Sequence, residues 1–481
     1  MLALRAFTGA GWLVGSRLVG RLIDFFTLLV MARALTPADF GLVALAMALV
    51  AIIDMVLEVP VTQALVRLKQ IDESHLDTGF TLALIRGMLV AVVVIAAAWP
   101  FSQINNDSHL IPVVLALAIA PIMRGLASPG LIHFIRDLGF RRIFLLEITG
   151  KIVAFCLAMA ALYLGGSYWA LVVNFVASPV AAGIGSYLLA PYRPKFSLSR
   201  WTDFAGFAGW FTGSQLMSAI NWQFDRILLG ALATKEVLGR YSVANDLSVI
   251  PTQSLIGPAL QPIMAAFSRI HGDDERLRSA FLKAARFSML ISIPCCLGIA
   301  LTADLLVAIL LGAKWQAAAD FLRLLSLSVV ATPYFQTLYS LALAMGRPEF
   351  IFRLNLFDLV VRSSLVVLGF CYGGATGVAQ GRLLAAVVIA FALVIQARRL
   401  ISIGIGKQLL NLWKVGAAGA AMCIGVVALR AELAGKVAAI PELALVAVTG
   451  AVLYGGVLAC SGLWLVLDPG RLELVDRWWR H

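Results

Sequence analysis

An all-α integral membrane protein of about fourteen transmembrane helices is predicted by this 481-residue sequence. Three observations predict it. The first is composition: 61% of residues are hydrophobic and 13% are charged, with a mean hydropathy of +0.92. Soluble domains carry about 25% charged residues, and no polar block here is long enough to fold as a separate water-soluble domain. The second is run length. A spanning helix needs about 20 mostly apolar residues. Fourteen such runs begin near Gly11, Asp39, Thr78, Leu110, Ile143, Trp169, Ala205, Leu238, Ala285, Ala319, Asn355, Thr376, Asn411 and Glu442. The third is an ungapped internal repeat. Gly11, Trp12, Gly15, Ser16, Leu18, Thr36, Gly41, Ala46, Leu49, Ile52, Leu57, Pro60 and Gln63 all recur 198 residues later without a gap. Internal repeats mark transporters that hold substrate between related halves.

The first run holds Arg17, Arg21 and Asp24 with no small-residue cleavage site after it, so it reads as a retained helix and not a signal peptide. Basic residues then fix the orientation. With the N-terminus inside, 23 Lys and Arg fall in inner loops and tails and 5 in outer loops. That asymmetry predicts cytoplasmic termini and an even number of crossings. It also explains the net charge of +12 without nucleic acid as a partner. Spans 1 and 2 align with spans 7 and 8, six crossings apart, so the repeat is parallel with its pseudo-axis along the membrane normal. The expected organisation is a six-helix lobe at 1–192, a cytoplasmic linker at 193–204, a second six-helix lobe at 205–397, a linker at 398–410, and helices 13 and 14 with a tail at 411–481.

Ten basic residues remain in or at the edges of spans: Arg17, Arg21, Arg86, Arg124, Lys151, Arg226, Arg240, Arg323, Arg362 and Arg382. A central charge costs about 2.5–3.5 kcal/mol to insert, which makes each a functional candidate. Arg124, Arg226, Arg240 and Arg323 lie near span ends, where snorkelling to the interface is the competing explanation. Glu147 and Lys151, and Asp358 and Arg362, are spaced i,i+4 and read as self-contained pairs. On span 1, Arg17, Arg21 and Asp24 share one face. On span 2, Asp54 and Glu58 sit level with Arg21 and Arg17, so the expectation is that these meet or line one aqueous cavity. Asp24 then lacks an evident partner and is a candidate for protonation. Span 7 carries Ser214, Gln215, Ser218, Asn221, Trp222, Asp225 and Arg226, enough polarity for a cavity wall over and above helix–helix glue. The candidate cavity residues are thus Arg17, Arg21, Asp24, Asp54, Glu58, Arg86, Lys151, Ser214, Gln215, Ser218, Asn221, Asp225, Arg226 and Arg362.

No catalytic, metal or cofactor motif is expected. There is no Walker A pattern, HExxH or GxSxG, and no paired Cys/His set. Cys156, Cys295, Cys296, Cys371, Cys423 and Cys460 all sit in apolar runs. The outer loops are short. The inner segments 69–77 and 268–287 are the most charged, the second reading as an amphipathic lead into span 9, and His75 and His271 read as solvated there.

The runs RALTPADFGLVALAMAL (33–49), QALVRLK (63–69), FDRILLGALATKEVLGRYSVANDLSVIP (224–251), PIMAAFSRIHGDDERLRSAFLKAARF (262–287), LLGAKWQAAADFLRLLSL (310–327) and LALAMGRPEFIFRLNLF (341–357) resemble the polysaccharide transporter family of oligosaccharide flippases. That family belongs to the exporter superfamily shared with multidrug/cation (MATE) antiporters and the lipid II flippase. The resemblance implies a MATE-like fold and alternating access around a cationic cavity. It implies a polyprenyl-pyrophosphate-linked oligosaccharide substrate and a bacterial inner-membrane location. It also implies a monomer whose partners are that substrate, membrane lipids and a polysaccharide polymerase or export machinery, with no cofactor. Two other readings stay open: an ion-coupled multidrug or cation antiporter of the same fold, and a membrane glycan polymerase or ligase. The excess of basic residues in the spans over about seven deep acids leans towards an anionic substrate.

Overall fold

The computed structural model describes residues 2–59, 61–67, 71–137, 139–202, 209–253, 263, 267, 270, 273–433, 435–468 and 471–476. At 2–11, 13, 14, 63, 66, 67, 209–215, 348, 464–468 and 471–476 the backbone alone is described. The chain divides into two compact units, Met1–Ser242 and Val243–His481.

The first unit contains α1 (Leu2–Ala34), α2 (Pro37–Val56), α3 (Val61–Arg67), α4 (Glu73–Ile104), α5 (Leu110–Leu117), α6 (Ile119–Gly125), α7 (Leu131–Arg136), α8 (Phe140–Tyr163), α9 (Trp169–Leu189), α10 (Gly209–Leu232) and the start of α11 (Lys235–Pro251). The second contains the rest of α11, then α12 (Asp274–Leu301), α13 (Ala303–Leu310), α14 (Ala318–Ser328), α15 (Thr332–Ala344), α16 (Pro348–Ile401), α17 (Ile405–Leu433) and α18 (Ala439–Cys460). A short hairpin follows, β1 (Leu463–Asp468) antiparallel to β2 (Arg471–Asp476). The sequence had this segment down as plain tail.

Eight described helices are long and apolar enough to cross a bilayer: α2, α4, α8, α9, α12, α16, α17 and α18. The helix α16 is two crossings in one. At Gly374, φ is 57° and ψ is −140°, which breaks the helix in a conformation only glycine adopts freely. The two limbs fold back on each other so closely that a Cβ at Gly369 would meet the carbonyl of Gly377. The other expected spans lie on described helices that are charged, short or broken. The helix α1 carries Arg17, Arg21 and Asp24, and the α5–α6 and α14–α15 stretches are interrupted.

Lipid is as apolar as leucine, so helices in a bilayer associate through close van der Waals packing at small residues. The start of α2 shows this. Thr36 caps it: its hydroxyl accepts from the Asp39 N–H, while the Thr36 N–H donates to the Asp39 carboxylate. Thr234, the repeat equivalent, has its hydroxyl 3.4 Å from the Val237 N–H before α11. The two starts then press together through equivalent residues. A Cβ on Gly41 would lie 1.8 Å from the Lys235 carbonyl, and one on Gly239 would lie 1.7 Å from the Pro37 carbonyl. Position 41 touches 235 and position 239 touches 37, each pair related by the same 198-residue offset. The sequence repeat is therefore a local two-fold in space.

The segment after α9 is not a free linker. The carboxylate of Asp77 on α4 accepts from the Tyr192 hydroxyl at 2.7 Å and from the Lys195 N–H at 3.0 Å. The Ser197 N–H donates to the Thr81 hydroxyl at 3.1 Å. The strap is thus stitched to α4 by backbone donors that would otherwise need water. Burial, and then the Asp77 carboxylate, push the Tyr192 hydroxyl well above its ordinary range. His75 lies in the first turn of α4, buried and accepting from the Asp72 N–H at 3.3 Å, so the expectation of a solvated side chain is corrected. Capping removed it from water. His271 lies outside the described residues.

In the second unit, α12, α15 and both limbs of α16 share an apolar core around Phe281, Tyr334, Leu338, Leu354, Ala385 and Leu393. Helix α12 starts on Asp273, whose carboxylate accepts from the Arg276 N–H. Its first turns bury Leu277, Phe281 and Ala284 and expose Arg276 and Lys283, matching the amphipathic lead read from sequence. Arg430 near the end of α17 holds Asp304 of α13 through both terminal nitrogens, at 3.0 and 2.5 Å, and Glu442 of α18 at 3.3 Å.

Candidate functional site

Among the described residues of the first unit, the charged side chains of α1, α2, α4, α6 and α8 gather in two places. One is centred on Asp54 at the end of α2. It accepts from Arg86 Nη2 on α4 at 2.9 Å and pairs with Arg124 Nη1 on α6 at 2.9 Å. The two arginines converge because α4 and α6 nearly touch beside them: a Cβ at Gly87 would lie 2.5 Å from the Pro121 carbonyl, and one at Gly125 2.5 Å from that of Ala83. Arg86 also donates to the backbone carbonyls of Asp54 and Leu57, at 2.8 and 3.0 Å, and reaches Glu58 at 3.5 Å. A cation is thereby placed on the last, otherwise unpaired carbonyls of α2, at the negative end of its dipole.

The other network runs along the seam of α1 and α8. The Ser16 hydroxyl donates to Glu147, and Lys151 Nζ lies 2.5 Å from Asp24 Oδ1. Trp12 packs at a tilt against Phe144 and lies under Arg141, and Phe26 packs against Phe155. Lys151 lies over Gly20, where a Cβ would come within 3.3 Å of its chain.

These contacts correct several sequence expectations. Asp54 and Glu58 do not meet Arg21 and Arg17; they are held by Arg86 and Arg124. Asp24 is not an acid without a partner, since Lys151 holds it. Glu147 and Lys151 do not pair with each other. The physical reason is packing order. Helix α1 lies along α8, so its polar face is answered by α8, while the end of α2 is answered by α4 and α6. Residues that are level on consecutive spans need not be neighbours. Arg124, expected near a span end, is an ion-pair partner of Asp54. Asp358 and Arg362 do pair within one helix, at 3.1 Å, as the spacing predicted.

Arg17 and Arg21 remain exposed, one turn apart on α1. On α10, Asp225 is only 2% exposed and accepts from the Tyr241 hydroxyl of α11 at 2.6 Å. Asn221 is buried one turn earlier, and Ser218 and Arg226 are half-buried. Tyr241 was missed by the sequence reading, since nothing in its surroundings marks it. The side chains of Ser214 and Gln215 lie outside those described. Guanidinium groups exposed in this way give directed, charge-assisted bonds to phosphate oxygens. Among the described residues no cluster of His, Cys, Asp and Glu has the geometry to hold a metal.

The apolar crossings, the parallel repeat and the intramembrane charges define a multi-pass membrane protein. Residues 30–320 match the family described as polysaccharide biosynthesis protein, and the chain belongs to that family. It is 24% identical over 390 residues to the lipopolysaccharide biosynthesis protein WzxC of Escherichia coli strain K12, covering 80% of this chain and 79% of that one. It is 25% identical over 326 residues to the succinoglycan biosynthesis transport protein ExoT of Rhizobium meliloti strain 1021, covering 66% and 65%. Among solved structures it resembles lipid II flippase MurJ in an inward closed conformation, with a TM-score of 0.75 at 12% identity over 94% of this chain and 98% of that one. An outward-facing multidrug resistance MATE transporter matches at a TM-score of 0.57 and 17% identity, covering 82% and 95%. The structural likenesses establish the fold: an all-α architecture of the MATE and MurJ type.

Proposed function

We propose that this protein is a flippase that moves polyprenyl-pyrophosphate-linked oligosaccharide repeat units across the cytoplasmic membrane, for exopolysaccharide, capsule or O-antigen synthesis. The observation that carries the reading is kinship with proteins named for polysaccharide biosynthesis, one of them as a transport protein, in a chain built on the fold of a lipid II flippase. Both termini face the cytoplasm, and the membrane is the bacterial inner membrane. The lobes are 1–192 and 205–397, joined at 193–204, with 398–410 leading to the last helices at 411–481. Fourteen crossings complete the topology.

Alternating access supplies the mechanism. Substrate enters from the cytoplasmic leaflet, its sugar head crosses in the cavity, and the polyprenyl tail stays in lipid. Arg17 and Arg21 bind the pyrophosphate. The polar face of α10, from Ser214 to Arg226, contacts sugar hydroxyls. The contact of Gly41 with Lys235 and of Gly239 with Pro37 closes the outer end. Asp54, Glu58, Arg86 and Lys151 hold the cavity walls in register, as does Arg362 through Asp358. No covalent chemistry, cofactor or metal is required, and a monomer suffices. Polymerase or export machinery receives the product. An ion gradient drives transport through Asp225, whose carboxylate is enclosed with Tyr241.

The test is transbilayer movement of a fluorescent lipid-linked oligosaccharide in proteoliposomes, read by quenching from outside. Protein-dependent loss of the protected half of the signal supports the flippase. No movement with any such lipid, together with ion-coupled efflux of organic cations, supports the antiporter of the same fold instead. Glycosidic bond formation on the labelled lipid supports the polymerase or ligase.

A further inference from the structure

We propose that the open end of the α16 hairpin is a binding site for the phosphate of an anionic phospholipid. A cavity of about 240 Å³ lies there, lined by Arg347, Arg353, Gln396 and Arg399 above an apolar floor of Phe350, Leu354 and Leu400. Arg347 and Arg353 stand at the beginning of the helix and Arg399 at its end, 46 residues beyond Arg353 in sequence. The break at Gly374 brings them together. No ion pair or side-chain hydrogen bond ties any of the three guanidinium groups to another described residue, and no acid lines the cavity. Three like charges lining one cavity repel, and an anion between them turns that repulsion into attraction. Phosphate oxygens match the guanidinium fork, and Gln396 adds a neutral donor.

The surroundings select a lipid over a free phosphate. From Arg353, the exposed residues Phe357 and Val360 follow at i+4 and i+7 down the first limb. From Arg399, Ile395 and Phe391 follow at i−4 and i−8 down the second, also exposed. Both limbs therefore carry an apolar stripe leading from the arginines into the bilayer. A phospholipid whose phosphate sits on Arg347, Arg353 and Arg399 lays its acyl chains along these stripes. Basic pockets between membrane helices at the water boundary bind anionic head groups by this chemistry. The site lies wholly in the second unit and does not depend on what the protein transports.

The experiment measures binding of fluorescent phosphatidylglycerol and phosphatidylcholine to the purified full-length chain in neutral detergent. The same is done for Arg347→Gln/Arg353→Gln/Arg399→Gln and for a control that removes equal charge from exposed residues of the same unit, Arg276→Gln/Lys283→Gln/Lys407→Gln. Phosphatidylglycerol is expected to bind more tightly than phosphatidylcholine, and the first triple variant to weaken it by about tenfold or more. The control is expected to bind as the unaltered chain does. An unchanged melting temperature in lipid-free detergent shows that the first variant is folded; if it unfolds, the single variant Arg399→Gln is expected to weaken binding about threefold. Equal binding by the variants and the unaltered chain overturns the site. So does an equal loss in the control, which signals general charge attraction. Displacement of phosphatidylglycerol by inorganic pyrophosphate at matched concentration overturns the lipid assignment in favour of a free-phosphate site.

Discussion

The two copies of the repeat agree where they touch and differ where they are charged. Thr36 and Thr234 both stand at a helix start, and Gly41 and Gly239 both give up a side chain so that each helix reaches the other's backbone. Opposite Arg17, Arg21 and Asp24 of the first copy, the second has Gln215, Ala219 and Trp222. Ala219 is fully buried where Arg21 is exposed. Opposite Asp54, which anchors two arginines, stands Thr252, whose hydroxyl donates back to the Val249 carbonyl one turn earlier. The difference separates two demands on one duplicated element. Helix approach at the two-fold requires the same small residue in both copies, because backbone meets backbone there. Charged positions carry no such constraint, so Arg17 and Arg21 in the first copy and Arg226 and Arg240 in the second stand at non-equivalent places.

Substitution at the shared positions is the harshest way to break this comparison. Gly41→Ala places a methyl group 1.8 Å from a carbonyl carbon's oxygen that cannot yield without moving α11. Overpacking of that kind costs about 1–3 kcal/mol, and the flipping rate is expected to fall about tenfold or more. Gly239→Ala is expected to do the same, because the contact is two-fold; a tolerated alanine in one copy and not the other breaks the symmetry argument. Next comes Asp54→Ala, which leaves Arg86 and Arg124 facing each other. A loss of about 3 kcal/mol is expected for a largely enclosed pair with one partner removed, read as a drop in melting temperature. Thr252→Ala at the equivalent place is expected to cost about 1 kcal/mol, the worth of one local hydrogen bond.

Smaller effects sharpen the picture. A double-mutant cycle on Asp24→Asn and Lys151→Met is expected to give a coupling of about 0.5–1 kcal/mol, since both groups are partly exposed. A coupling near zero would remove the seam of α1 and α8 as an energetic contact. In the second unit, burial raises the Asp304 carboxyl, but the Arg430 guanidinium more than offsets this and the net shift is downward. Its folded value is below its unfolded value, so its contribution to stability is full above the ordinary carboxylate range and is lost as pH falls through it. Melting temperature followed from pH 7 downwards is therefore expected to fall less steeply below about pH 4 in Asp304→Asn than in the unaltered chain.

Much of the fold was legible because lipid imposes simple rules. Apolar length located the helices; the repeat marked Gly41 and Gly239 as equivalent, and the structure adds that each meets the other copy's backbone. The sequence also placed Asp358 with Arg362, since both lie on one helix and spacing alone decides. It did not place Asp24 with Lys151 or Asp54 with Arg86 and Arg124, because partners on different helices depend on which helices lie side by side. The role of Arg86 as a cap for α2 was hidden for the same reason. Arg347, Arg353 and Arg399 read as ordinary inner-loop charges until the break at Gly374 folded their helix back on itself.

The central claim is that the charges peculiar to the first copy meet the substrate. It is tested most directly by the flipping rate of a fluorescent lipid-linked oligosaccharide in proteoliposomes bearing Arg21→Ala. Arg21 makes no ion pair with another described residue, so its removal leaves the fold intact. The predicted result is a rate at least about tenfold lower, the worth of a charge-assisted bond to phosphate, at an unchanged melting temperature. A full rate at unchanged expression would contradict the account.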